Sequence, residues 1–95
     1  MKTQHTPGQW KCTPEPEYGR IIIEPAEAGR YVSYVAVVEQ RGCRDAQQME
    51  ANAALIAAAP DLLKACLLAV ESQRLTLGQR NAVIAAITQA TENQP

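Results

Sequence analysis

The run ANAALIAAAPDLLKACLLAV, residues 51–70, is built mostly of alanine and leucine and carries Pro60 at its middle. Alanine and leucine are the strongest helix formers because neither is branched at Cβ. Met49, Asn52/Ala53, Ile56, Ala59, Leu63, Cys66 and Val70 recur at spacings of three and four, which puts them on one stripe of a helix. The stripe holds its phase across Pro60. Proline removes the hydrogen bond to the Ile56 carbonyl and crowds that turn, at about 3 kcal/mol inside a helix, and it biases Ala59 away from the α region. Two outcomes satisfy these constraints. One is a long helix kinked at Pro60. The other is a tight break, with Pro60 opening a new helix and Asp61 favouring its N-terminus. Asn52, Asp61 and Lys64 interrupt the apolar run, and a span needs about 20 apolar residues. The expected role is therefore a helix packed closely on a sheet and another helix, not a membrane crossing.

The chain ahead of this run has a different texture. Residues 1–8 are polar and carry Pro7 and Gly8, which predicts a flexible start. Gln9 to Thr13 reads as a short strand ended by Pro14-Glu15-Pro16. Arg20 to Glu24, RIIIE, is β-branched and bounded by Gly19 and Pro25, and reads as a second strand. Pro25 to Gly29 has the size of a hairpin connection. Tyr31 to Glu39, YVSYVAVVE, reads as a third strand with apolar residues on both faces. A turn through Gly42 leads to Asp45 and Gln48, a capping-box pair that should start the first helix. After a loop at Ser72–Leu75, Thr76 and Gln79 repeat the pattern. Leu77, Val83/Ile84 and Ile87 then give a short second helix to about Ala90, followed by a frayed tail at 91–95. Strands first and helices after them predict one α+β domain: an antiparallel sheet of about three strands with two helices on one face.

A chain of 95 residues buries only about 60–65% of the surface it exposes unfolded. Its aromatics are Trp10, Tyr18, Tyr31 and Tyr34, with no Phe, so the core must be aliphatic. A second sheet face with apolar residues needs cover, and a second copy of the chain is the economical source. A homo-oligomer, dimer or larger, is expected. The net charge of −1 argues against general nucleic-acid binding, which rests on phosphate neutralisation. Cys12, Cys43, Cys66 and His5 have neither the number nor the spacing of a zinc site, and an odd cysteine count argues against a disulfide framework. The N-terminus lacks the apolar run of a signal peptide, so the cytoplasm of a bacterial cell is the expected compartment.

No catalytic constellation stands out, and nothing calls for a cofactor or metal; the expectation is a protein that binds and does not catalyse. Cys66 falls on the apolar stripe and reads as a small core residue. Cys43, between Gly42 and Arg44 near a helix start, reads as a turn residue or, alternatively, as a reactive thiol. Glu15, Glu17, Glu24 and Glu27 read as a solvated rim. The remaining cluster is Arg20, Arg30, Arg41 and Arg44 at strand ends and turns, with Tyr31 and Tyr34. Arginine's planar fork suits phosphate and carboxylate, and tyrosine offers a face on which a base stacks. Together they are candidates to hold a nucleotide-like anion. Equally, each arginine can be a solvated strand-end charge paired with a nearby glutamate.

The segment HTPGQW at residues 5–10, with EANAALIAAAPDLLKA at 50–65, resembles a family of small phage and prophage proteins. These open with an HTPGPW-like segment and carry an ANARLIAAAPELL-like helix. The chain departs from that pattern at Gln9, where a second proline is usual, and at Ala54, where arginine is common. The resemblance implies phage origin more than an activity. In outline, a three-stranded sheet followed by two helices is also similar to phage sponge proteins that sequester cyclic nucleotide signals of bacterial immunity, an analogy of fold alone. The expectation is a phage accessory protein, with counter-defence capture of a nucleotide-like signal as its role. The alternatives are a protein-interaction inhibitor of a host defence complex, anti-CRISPR-like, and a minor regulatory phage protein.

Overall fold

A computed structural model describes residues 5–27 and 34–92. The elements run β1 (Trp10–Glu15), β2 (Arg20–Pro25), β3 (Ala36–Glu39), α1 (Ala46–Ala57), α2 (Ala59–Glu71) and α3 (Leu77–Glu92), with 3₁₀ turns at Pro16–Tyr18 and Gln40–Gly42. The class is α+β. The three strands form an antiparallel sheet in the order β1-β2-β3. The chain divides into two compact units, one spanning Thr6–Pro60 and the other holding the residues from Asp61 onward.

The first unit is built around β2. Ile21 and Ile23 point to one face, where they meet Val38 of β3 and Ala53 of α1; Ile23 is fully buried. Trp10, Met49, Ile56 and Ala57 pack around this cluster. Trp10 of the opening HTPGQW segment and Ala53 of the alanine-rich run therefore meet in one core, although they are far apart in sequence. The opening segment closes on itself: Trp10 Nε1–H donates to the Thr6 carbonyl at 3.1 Å. Gly8, at φ +85°, takes the turn that this closure needs.

The alternation of backbone hydrogen bonds fixes which strand edges are open. Ala26 N–H donates to Gln9 O at 2.8 Å. In antiparallel pairing the bonded positions then recur every second residue, at Lys11, Thr13 and Glu15 of β1. Trp10, Cys12 and Pro14 accordingly turn their backbone groups away from β2. This is why β1 continues through Pro14 where the sequence reading ended it: the missing N–H belongs to the outer edge, so no ladder bond is lost. On the other side, Gln40 N–H donates to Gly19 O at 3.0 Å, so Val38 and Ala36 bond to β2 while Val37 and Glu39 face outward.

β3 carries an irregularity. Ala36 is the partner of Ile23, yet Val35 N–H also donates to Ile23 O at 2.8 Å. Two residues thus oppose one, the geometry of a β-bulge. The extra residue advances the alternation by one step. Val35 and Ala36 both pack on the core cluster, and Tyr34 falls on the opposite face of the sheet. Residues 28–33, including Arg30, Tyr31 and the first part of the expected third strand, lie outside the described residues.

Both helix starts expected from the sequence are present. Asp45 Oδ1 accepts the Gln48 N–H at 2.8 Å, and Gln48 Oε1 reaches back to the Arg44 N–H at 2.6 Å, one residue before the amide a capping box uses. At α3 the box is reciprocal: Thr76 Oγ1 accepts from Gln79 N, and Gln79 Oε1 accepts from Thr76 N. Of the two outcomes open at Pro60, the chain takes the break. α1 ends at Ala57, Ala58 stands between the helices, and Pro60 occupies the second position of α2, where an N–H would lack an intrahelical partner. Three helices therefore follow the sheet. Among the described residues no single helix is long and apolar enough to cross a membrane.

In the second unit, Leu63, Cys66 and Val70 form the half-buried side of α2, as the stripe predicts. α2 ends through Gln73 in the left-handed region, at φ 61°, and Arg80 Nη1 donates to the Val70 carbonyl at 2.6 Å. That cation satisfies a carbonyl at the negative end of the helix. α3 runs to Glu92 and is the longest helix, not the short one read from the sequence. Of the expected stripe, Ile87 is buried and Val83 and Ile84 are half-buried, whereas Leu77 in the first turn is exposed.

Truncating Ile23→Ala removes the centre of the core and should destabilise the protein by about 2–5 kcal/mol in urea denaturation. Gln73→Gly relieves the left-handed strain of a side chain at the α2 terminus. It should raise stability by about 1 kcal/mol, read from the midpoint of the same denaturation.

Candidate functional site

The sheet face away from α1 is polar. Glu15 of β1 and Glu39 of β3 stand opposite Arg20, Thr13 and Val37 opposite Ile22, and Lys11 opposite Glu24. Glu24 is not part of the solvated rim expected of the carboxylates that flank the strands, but is only 8% exposed. Its carboxylate accepts the Thr13 hydroxyl at 2.6 Å and lies 3.9 Å from Lys11 Nζ. A buried carboxylate held this way keeps its hydrogen bonds and its counter-charge. Ile22, on the same face, is 3% exposed.

At one end of this face Arg20 is held on three sides. Its Nε–H donates to Glu15 Oε1 at 2.6 Å. The guanidinium carbon lies 5.1 Å from the centroid of the Tyr18 ring and 5.9 Å from that of Tyr34, within cation–π range of both. The Glu15 hydrogen bond raises the Arg20 pKa above its ordinary value, with a smaller opposing effect of desolvation and further support from the Glu15 charge and the two tyrosines. The guanidinium therefore stays charged at every accessible pH. Two local devices build this arrangement. Gly19 takes the left-handed conformation, φ 62°, between Tyr18 and Arg20, and the bulge at Val35 puts Tyr34 on the Arg20 face.

Beside it lies an open recess of about 400 Å³ lined by Tyr18, Gly19, Glu39, Gln40 and Arg41. Tyr18 is 68% exposed there. Arg41 has no ion-pair partner among the described residues and is the cation at the recess with its donors free.

Of the six residues singled out in the sequence, Arg20 and Tyr34 come together, and Arg41 joins them through the recess at Tyr18. Arg44 does not line the recess; it is highly exposed, with Nε 3.5 Å from Asp45 Oδ2. Arg30 and Tyr31 lie outside the described residues. Tyr18 was missed, because its place beside Arg20 follows from the turn at Gly19 and not from a strand pattern. The Pro16-Glu17-Tyr18-Gly19 stretch carried the signal: proline opening and glycine closing a tight turn, with an aromatic left at the surface.

The cysteines are free thiols. Cys12 is exposed on β1, Cys66 is half-buried on α2, and Cys43 accepts a hydrogen bond from Asn52 Nδ2 at 3.6 Å. Among the described residues no three His, Cys, Asp or Glu side chains gather as a metal site would require.

Replacing Glu15→Gln removes the carboxylate that occupies Arg20. Inorganic phosphate should then bind more tightly at this end of the sheet, seen as larger shifts of the Arg20 Nε–H resonance during titration. Equal titrations of variant and parent would mean that Glu15 does not restrain the guanidinium.

Comparison with curated proteins gives no match, and comparison with solved structures gives none either. A protein-family model does match, over residues 1–94. With nearly its whole length inside that match, the chain belongs to the phage protein family described as Salmonella phage P22 protein Y8K6.

Proposed function

We propose that this phage protein is an accessory binding module, not a catalyst, that captures a nucleotide-like anion in the host cytoplasm as a homo-oligomer, in the service of counter-defence. The observation that carries the reading is the exposed Tyr18 ring with Arg20 against it and Arg41 across the recess. A planar base stacks on Tyr18. Arg41 meets the phosphate, because Arg20 is already engaged by Glu15. Glu39 at the recess disfavours anions in general, so the fit is for a ligand whose charge sits at one end and whose ring sits at the other.

The test is thermal unfolding with a panel of cyclic mono- and dinucleotides in excess. A ligand at about 100 times its dissociation constant stabilises the native state by about 2.7 kcal/mol. Tyr18→Ala should weaken the bound member by about 1–3 kcal/mol, the usual cost of a lost stacking platform, and Arg41→Ala should abolish its salt dependence. Unchanged melting across the whole panel would remove the reading. Native mass spectrometry of the same samples reports the oligomeric state and any nucleotide-sized mass that co-purifies.

A further inference from the structure

The two edges of the sheet are not equivalent. Along β1, Pro14 stands at an outward-facing position and offers no N–H, so a strand cannot pair continuously there. Along β3, Val37 faces outward with both backbone groups and Glu39 with its N–H, while the Glu39 carbonyl belongs to the N-cap of the Gln40–Gly42 turn. Next to this open edge runs a groove of about 520 Å³ between β3 and α1. Val38 and Ile56 lie at its floor and Leu55, 64% exposed, on its α1 wall. Glu39 borders the groove at the strand edge with its side chain on the face away from α1, and it has no ion-pair partner among the described residues.

An open strand edge beside an apolar groove flanked by a helix is the arrangement by which a sheet takes up an extended peptide as one more strand. The backbone supplies affinity and alternate side chains supply selectivity. We infer that the β3 edge is a docking site for an extended segment of a partner protein, one that alternates aliphatic with basic residues. The alternation is dictated by the faces. Side chains of an added strand that fall on the α1 side enter the groove beside Val38, Leu55 and Ile56. Those on the other side fall beside Val37 and Glu39, where the unpaired carboxylate selects lysine or arginine. The site meets the tyrosine–arginine recess at Glu39, which lines both, and the inference goes beyond the ligand-binding reading.

The probe is a heptapeptide, capped at both ends, that alternates valine with lysine. Its counterpart alternates valine with glutamate. Amide hydrogen exchange and ¹⁵N-resolved titration of the full chain report on β3 directly. The valine–lysine peptide should bind and should slow exchange of the Val37 and Glu39 amides, whereas the valine–glutamate peptide should bind at least about tenfold more weakly. Glu39→Lys should reverse that preference. Val37→Pro removes an outward donor and should weaken binding at least about tenfold. N-methylating the peptide on its β3-facing amides should do the same without altering the protein, which guards against a variant that fails to fold. The inference is overturned by an undisturbed β3 on peptide addition, or by N-methylated and plain peptides that bind alike. It is also overturned by β3 amides already protected in a concentration-dependent dimer, since the occupant would then be a second copy of the chain.

Discussion

The close approach of α1 to β2 at Ala53 is the contact on which the first unit rests. Ala53 is buried against Ile21 and Ile23, and its methyl group is small enough to let the helix lie near the sheet. Burying isoleucines contributes about 1.5–3 kcal/mol each. With so few aromatics in the chain, most of the apolar area comes from such aliphatic pairs. The same contact sets the width of the groove beside β3 and holds Met49 and Trp10 over the rest of the cluster. A larger residue at Ala53 would lift the helix and open every cavity that α1 borders.

The two faces of the sheet solve different problems. One is sealed by α1 in aliphatic contact. The other carries Lys11, Glu15, Arg20, Glu24 and Glu39, whose cross-strand neighbours are fixed by the register. Glu24 is buried with its hydrogen bond to Thr13 in place, and Arg20 is clasped by Glu15 and two rings. Charges placed in this way specify register, since a slip of one residue would exchange the isoleucine face for the charged one.

Element type was readable wherever local chemistry dominates. The β-branched RIIIE had one sensible outcome, and Asp45 with Gln48 and Thr76 with Gln79 marked helix starts by side-chain chemistry that acts over three residues. The break at Pro60 was one of two alternatives, because propensity and stripe phase do not separate a kink from a break. What escaped was set by partners distant in sequence. Pro14 stays in a strand because of which edge it occupies. Glu24 is buried because Lys11 stands across from it and Thr13, on the diagonal, donates to its carboxylate. Tyr34 joins Arg20 because of a bulge that no alternation pattern predicts. Tyr18 depended on a left-handed glycine next to it. The tyrosine–arginine cluster was therefore visible as a composition but not as an arrangement.

The bulge at Val35 and Ala36 has a consequence for how this chain tolerates change. It works as a phase shifter: Tyr34 falls on the face opposite to Ala36 and Val38, with which strict alternation would have aligned it. Pairing that became regular without losing a residue would send Tyr34 towards the core and leave Arg20 with a single ring, whereas deleting Val35 would leave a regular ladder with Tyr34 still on the Arg20 face. The bulge is thus a place where the chain can lose one residue without altering the surface presented by Tyr34 and Arg20, while straightening the strand at full length would remake that surface without touching any residue on it.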